Sequence, residues 1–346
     1  MPDKSADEAQ TKARTQRESA RTKPTLKTIA ELSGLAVPTV SRALNDAPDI
    51  GAKTKKLVRK IADDLGYVPN RAGLRLRTGR TQVVALVVST EHEIMNHTAR
   101  MISSIAAGLR GTGFHLNVSP YAPDEDPLKP IRHIVENGLS DAIIFNQTTP
   151  DDPRVAYLLE RKFPFATHGR TIWAEKHPYF DFDNSAYGLI GTRKLMERGR
   201  RKIALLAPPL DQFYAQHIID GAKAAAGNEA GILMIEDATT NCPHADIGKA
   251  VDRHMERNPG TDAILSSSAD GAMAAVGALE ARGMHLGGDV DVCGKESLPI
   301  LRLFRPQMIV ISEDVSAAGN FLARAALQAV QHPDKPPLQG LDVPEG

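Results

Sequence analysis

Cysteine is nearly absent: Cys242 and Cys293 are the only two, far apart and without a CxxC pair. This excludes a disulfide-stapled scaffold and a cysteine metal framework, and it suits a reducing compartment. Long apolar runs are missing as well, none approaching the roughly 18 residues of a membrane span, so no membrane partner is expected. Residues 1–23 are polar and mixed in charge, with no apolar stretch of the secretory kind, which points to the cytoplasm. No GxSxG elbow surrounds the serines at 266–268, there is no phosphate loop, and the eleven histidines contain no HExxH or HxxxH pair. These absences weigh against an enzyme and leave no catalytic residue, no metal and no cofactor to expect.

Net charge is also missing overall, with 42 basic and 42 acidic residues, but the balance is uneven along the chain. Residues 1–80 hold 17 Lys and Arg against 9 Asp and Glu, which leaves 25 against 33 for residues 81–346. A basic head on an acidic body suggests that the head meets a polyanion. Residues 1–24 carry too few apolar side chains to build a core and read as a disordered polar tail. A chain of 346 residues accommodates two or three domains beyond it.

Residues 25–69 carry a compact helical pattern. Thr25 can cap a helix over 26–33, and Gly34 stops it. A second helix covers 37–44, with Pro38 in its first turn, where the missing N–H costs nothing. A third runs over 52–65, with Leu57, Ile61 and Leu65 expected on one inward face. Ala30, Gly34 and Val40 supply the small residue, the turn and the apolar lock of a helix-turn-helix. The second helix then reads as one that enters the major groove. Its small hydroxyls allow close approach and reach phosphates, and its single Arg can read guanine. Val37, Pro38, Thr39, Ser41 and Arg42 fit these roles, Asn45 can hold a phosphate, and Thr25 and Lys27 complete the expected DNA contacts.

From Thr81 apolar runs of strand type alternate with helix-length segments. The runs lie at 82–88, 114–118, 142–145, 163–167, 202–207, 231–235, 263–266, 289–293 and 308–312. Strands separated by helices predict doubly wound parallel sheets, and this many of them predict two similar α/β lobes over 81–346. No repeat in the sequence marks the division.

The stretch 25–79, with TVSRALN (39–45), LGYVPN (65–70) and RAGLRLRTG (71–79), closely resembles the headpiece of the LacI/GalR family of transcriptional regulators. The resemblance implies phosphate contacts by Thr39, Ser41 and Asn45 and base contacts by Val37, Pro38 and Arg42. It implies a hinge helix over 70–77, within a linker at 70–80 that begins at Asn70. Leu76 would wedge into the minor groove, trading unstacking of the bases for bent DNA. Gly73 and Leu74 stand where the family usually has Ala and then Arg.

In the body FATHGR (165–170), DFDN (181–184) and SADGAM (268–273) are similar to segments of the same family. They imply a periplasmic-binding-protein-like core, a homodimer through that core, operator DNA as partner, and an effector that is usually a sugar. Polyols suit carboxylates, Arg and Lys near strand-end loops. The candidates are Ser89, His168, Arg170, Asp183, Gln216, Asp270 and Lys295. Asp183 can equally be a strand-end cap, and Asp270 the N-cap of a helix over 272–282. Two departures stand out: Gln216, His217 and Ile218 occupy the place of a pocket Arg, and GKES (294–297) replaces a Gly-Tyr-Asp-Asp type segment. The combined motifs are similar to the rhizobial regulators of α-glucoside use. The chain is therefore expected to be a sugar-responsive repressor of carbohydrate-utilisation genes. A regulator with a non-sugar effector, or a cytoplasmic sugar-binding or sugar-modifying protein on the same core, are the alternatives.

Overall fold

The computed structural model describes residues 24–67, 75, 79–90 and 95–345. The chain divides into two compact units, one ending at Arg80 and the other starting at Thr81. Asn70 and Leu76, and the expected polar tail up to residue 23, lie outside the described residues.

The first unit packs three helices. α1 (Leu26–Ser33) opens on a reciprocal cap in which Thr25 Oγ1 accepts from the Thr28 N–H while Thr28 Oγ1 accepts from the Thr25 N–H. It ends on Gly34, whose φ of 68° is left-handed and admits glycine at no steric cost. α2 (Val37–Leu44) follows, with Pro38 in its first turn, and then α3 (Ala52–Asp64). Ile29, Ala30, Val40, Ala43, Val58 and Ala62 form the core. The face of α3 differs from the one expected. Leu57 is 47% exposed, and the fully inward row is Val58 and Ala62, with Ile61 and Leu65 beside it. Close packing of three short helices calls for the smaller Val and Ala at the point of contact, so the buried stripe sits one residue around the helix from the Leu row.

The second unit holds two all-parallel sheets. Their strands are β1 (Val83–Ser89), β2 (His115–Tyr121), β3 (Ala142–Phe145), β4 (Phe165–His168), β5 (Tyr179–Phe182), β6 (Lys202–Leu206), β7 (Gly231–Met234), β8 (Ala263–Ser266), β9 (Asp291–Glu296), β10 (Ile309–Ser312) and β11 (Gln339–Asp342). The helices between them are α4 (Met95–Gly108), α5 (Leu128–Glu136), α6 (Pro153–Glu160), α7 (Asn184–Glu197), α8 (Phe213–Ala226), α9 (His244–Arg257), α10 (Ala269–Ala281), α11 (Leu301–Phe304) and α12 (Val315–Gln331). The first sheet has the order β11-β5-β4-β3-β1-β2 and the second β10-β9-β8-β6-β7. Leaving β11 aside, the two orders are the same, so the lobes repeat in topology although nothing in the sequence repeats. The nine expected strands are present with small shifts at their ends. β5 and β11 were not expected as strands. YFDF carries an acid in a four-residue run, and it holds its place because β4 and β11 pair with it on either side.

The chain crosses between lobes after β5, through Asp183 into α7, and returns after β10, through Glu313 and Asp314, into α12. α12 packs beside α4 and against β3, β4 and β5, which seats the last long helix on the first lobe. The two crossings are tied together at β11: the Asp183 N–H donates to the Asp342 carbonyl at 2.7 Å, and the Asp314 N–H to Asp342 Oδ2 at 3.2 Å. Apolar clusters cover both faces of both sheets, as parallel sheets require.

Candidate functional site

In the head, the period of α2 sorts its residues onto two faces. Val40 and Ala43 are fully buried, while Val37, Pro38, Arg42 and Asn45 are exposed and Thr39 and Ser41 are half-buried beside them. Thr25 and Lys27 are also exposed, at the start of α1. The Arg42 guanidinium pairs with Asp49 on the loop after α2, both groups open to solvent. Exposed pairs contribute only about 0–1 kcal/mol, so Arg42 is easily exchanged onto another anion or a base edge. Asn45 closes the helix, its side-chain amide donating to the Ser41 carbonyl.

In the core, a cleft opens at the carboxyl ends of the strands of both sheets, where a doubly wound sheet offers loops and helix N-termini to a ligand. It encloses about 970 Å³ of empty space including its open mouth. The first lobe contributes His97, Asn146, Gln147, His168, Asp181 and Phe182. The second contributes Tyr214, Asn241, Ser268, Asp270, Lys295 and Ser297, and Glu313 enters from the returning crossover.

Lys295 sits at the centre of a charged cluster. Its Nζ lies 3.1 Å from Glu313 Oε2 and donates to Asn184 Oδ1 at 3.4 Å. It also lies over two rings, 4.9 Å from the centroid of Phe182 and 5.6 Å from that of Tyr214. Burial by itself would raise the Glu313 carboxyl, but Lys295, His97 and His168 together hold it well below the usual range. The His168 pKa is lowered to about 4, chiefly by burial, with Glu313 opposing and His97 and Lys295 adding to the shift. Its imidazole is therefore neutral at physiological pH. As pH falls from 6.5 toward 4 the unfolded chain takes up a proton at this position before the folded chain does, so stability should fall over that window. A series of thermal melts against pH checks this: His168→Gln should flatten the dependence between pH 6.5 and 4.

Of the expected effector residues, His168, Asp270 and Lys295 line the cleft, and Ser89, Arg170, Asp183 and Gln216 do not. Ser89 is buried at the end of β1. Arg170 Nε pairs with Asp181 Oδ2 at 2.7 Å, so it holds a carboxylate that lines the cleft. Asp183 caps α7, accepting from the Ala186 N–H at 2.9 Å. Gln216 is exposed on α8, where its amide donates to Asp220 Oδ1 at 2.7 Å. The cap of α10 is Ser268, which accepts from the Gly271 N–H at 3.0 Å, and Asp270 lies in the first turn. Among the described residues no hydrogen bond reaches the Asp270 carboxylate, and burial raises its pKa. It is an acceptor facing the cleft.

Sequence reasoning missed Asn146, Gln147, Tyr214, Asn241 and Glu313. Asn146, Gln147 and Glu313 follow directly on the carboxyl ends of β3 and β10, and that position was the available signal. Gln147 takes a left-handed φ of 53°, and its carbonyl accepts from Arg154 Nη2 at 2.8 Å. Arg154 is itself buried against Asp152, at 2.7 Å, so a buried ion pair holds the loop that presents Gln147.

Residues 25–70 match the family model for bacterial regulatory proteins of the lacI family. Residues 82–333 match that for periplasmic binding proteins and the sugar binding domain of the LacI family. Among curated proteins, the HTH-type transcriptional regulator AglR of Rhizobium meliloti (strain 1021) is 29% identical over 327 residues, covering 91% of this chain and 90% of AglR. Among solved structures, a complex of the transcriptional regulator CelR with cellobiose superposes with a TM-score of 0.69. It is 24% identical and covers 93% of this chain and 98% of that one. The lac repressor dimer bound to operator and the anti-inducer ONPF superposes with a TM-score of 0.78 at 19% identity, covering 94% and 97%. At these identities the two structures speak to the fold.

Proposed function

We propose, from the premise that this chain belongs to the LacI family of bacterial regulatory proteins, that it is a dimeric repressor of carbohydrate-utilisation genes whose hold on its operator is set by a sugar in the cleft. Val37, Pro38 and Arg42 read bases, Thr39, Ser41, Asn45, Thr25 and Lys27 meet the backbone, and Asn70 and Leu76 act at the hinge. In the core, His168, Asp270 and Lys295 contact the effector. The observation that carries this reading is the make-up of the cleft: a carboxylate, Asp270, that no hydrogen bond reaches among the described residues, a row of amides and hydroxyls, and the rings of Phe182 and Tyr214. Polar groups of both kinds beside an aromatic face suit a neutral polyol. The cellobiose in the similar CelR structure and the resemblance to α-glucoside regulators support a glucose-containing disaccharide, with an α-glucoside first. Dimerisation through the core is supported by Ile300, Leu303 and Phe304. These cluster around α11 and stay exposed, Leu303 by 83%, on a patch that a second copy would cover.

The test is an anisotropy titration of DNA from the chain's own upstream region, with and without a panel of sugars. Tight binding to one segment, changed by a disaccharide, is expected. Asp270→Asn should leave sugar-free operator binding intact and weaken the response to sugar about 10- to 100-fold, the loss expected for a hydrogen bond to a charged group. Binding no tighter than to random DNA, or indifference to every sugar, overturns the reading.

A further inference from the structure

The cluster around Glu313 has a property that a sugar site does not need. His97 on α4, His168 at the end of β4 and Glu313 on the returning crossover each bring one ligand atom to the same place, with the three atoms within 4.8 Å of one another. Both His Nε2 atoms lie 3.6 Å from the same carboxylate oxygen, Glu313 Oε1. That spacing is too long for a good hydrogen bond and close to the separation of two donors on one metal ion. The two rings are tilted by 53° with centroids 5.3 Å apart, so they lie close without stacking face to face. His168 Nε2 is buried and has no hydrogen-bond partner, an arrangement that ordinarily has an explanation such as a bound ion. Lys295 occupies the other carboxylate oxygen, Oε2, and so leaves Oε1 as a single donor.

We infer that His97, His168 and Glu313 form a site for one zinc-class cation on the wall of the cleft, with its remaining position open to water or to an effector hydroxyl. Two imidazoles and one carboxylate, with a vacant fourth position, are a donor set that zinc accepts, and imidazole suits zinc, nickel and copper where magnesium prefers oxygen. The nearby Lys295 ammonium repels a dication, so the site should be weaker than one that neutralises its metal. No sequence motif marks it, because the ligands come from three elements that only the fold brings together. The inference does not require the cleft to take a sugar. Its test needs no DNA and no sugar, so it stands or falls apart from the repressor reading.

The experiment is a calorimetric titration of the full chain with zinc chloride, with magnesium chloride as control. One zinc per chain and no magnesium are expected. His97→Gln and His168→Gln should each weaken zinc binding by more than the roughly 10–100-fold that follows loss of an outer-shell partner. Each should leave the metal-free melting temperature near that of the parent at pH 7. Because His97 is partly exposed, its substitution decides the matter if His168→Gln fails to fold. Absence of zinc binding at millimolar concentration overturns the site. Zinc binding that both variants retain unchanged also overturns it, and would place the metal on other histidines.

Discussion

Arg42→Ala should lower operator affinity steeply toward that for random DNA while sugar binding in the core stays unchanged. Arg42 is the single cation among the exposed residues of α2, and its only ion-pair partner among the described residues is Asp49 on the neighbouring loop. Each well-made contact to a base contributes about 1–3 kcal/mol of discrimination, and the proposed dimer loses two, so the drop should lie between roughly 30-fold and 20,000-fold. The fold should be indifferent, since an exposed pair contributes about 0–1 kcal/mol. Competition binding against random DNA, together with a thermal melt, measures both. Asp49→Asn is the informative companion: it frees the guanidinium without removing it and should leave specific affinity equal or higher. A loss in Asp49→Asn as large as in Arg42→Ala would mean that the pair itself, and not the reading of a base, sustains binding.

Gly221→Ala should have the largest effect on stability. α7 and α8 meet backbone to backbone at two glycines. A Cβ on Gly221 would stand 2.1 Å from the Ser185 carbonyl oxygen, and one on Gly188 would stand 2.2 Å from that of Ile218. Neither neighbour is a side chain that can turn away, so the helices must part and the packing of Tyr187 and Ile218 beneath them must open. Overpacking of this kind costs about 1–3 kcal/mol and more where backbone is the obstacle. In a unit of this size 3 kcal/mol lowers the melting temperature by roughly 6–12 °C. Gly248→Ala is the control: on α9 the nearest heavy atom to its Cβ is that of Ala278 at 4.0 Å, so the same methyl should be neutral or slightly stabilising by helix propensity. If the two variants melt alike, close approach is not what these glycines provide.

The head was legible almost to the residue, because its signals are local. Thr25 before an apolar turn, Gly34 after it and Pro38 at the next start each act within one turn of helix, and they bound α1 and α2 as expected. The inward row of α3 was misplaced by one position, because Leu57 and Val58 are equally apolar in sequence and only the size of the gap selects the smaller. In the core, alternation of apolar runs and helical segments was enough for the class of fold. It was enough for two similar lobes as well, but not for the strand order they share, which lies in the pairing of strands and in no residue.

What the sequence determined by itself is therefore what depends on near neighbours: helix ends, the turn of the head, the exposed row Val37, Pro38, Arg42 and Asn45, and the basic-to-acidic change in charge near residue 80. What only the tertiary structure decided is which distant groups share one space. Arg170 read as a ligand contact and Asp183 equally as a ligand contact or a strand-end cap, and it is the structure that pairs the first with Asp181 and sets the second on a helix end. Glu313 was passed over, yet it meets Lys295, His97 and His168. A carboxylate at a strand end looks the same in sequence whether it caps a helix, neutralises a cation or faces a ligand. Its partners arrive from other strands, and hydrogen bonds and Coulomb forces act over a few ångströms of space whatever the separation along the chain.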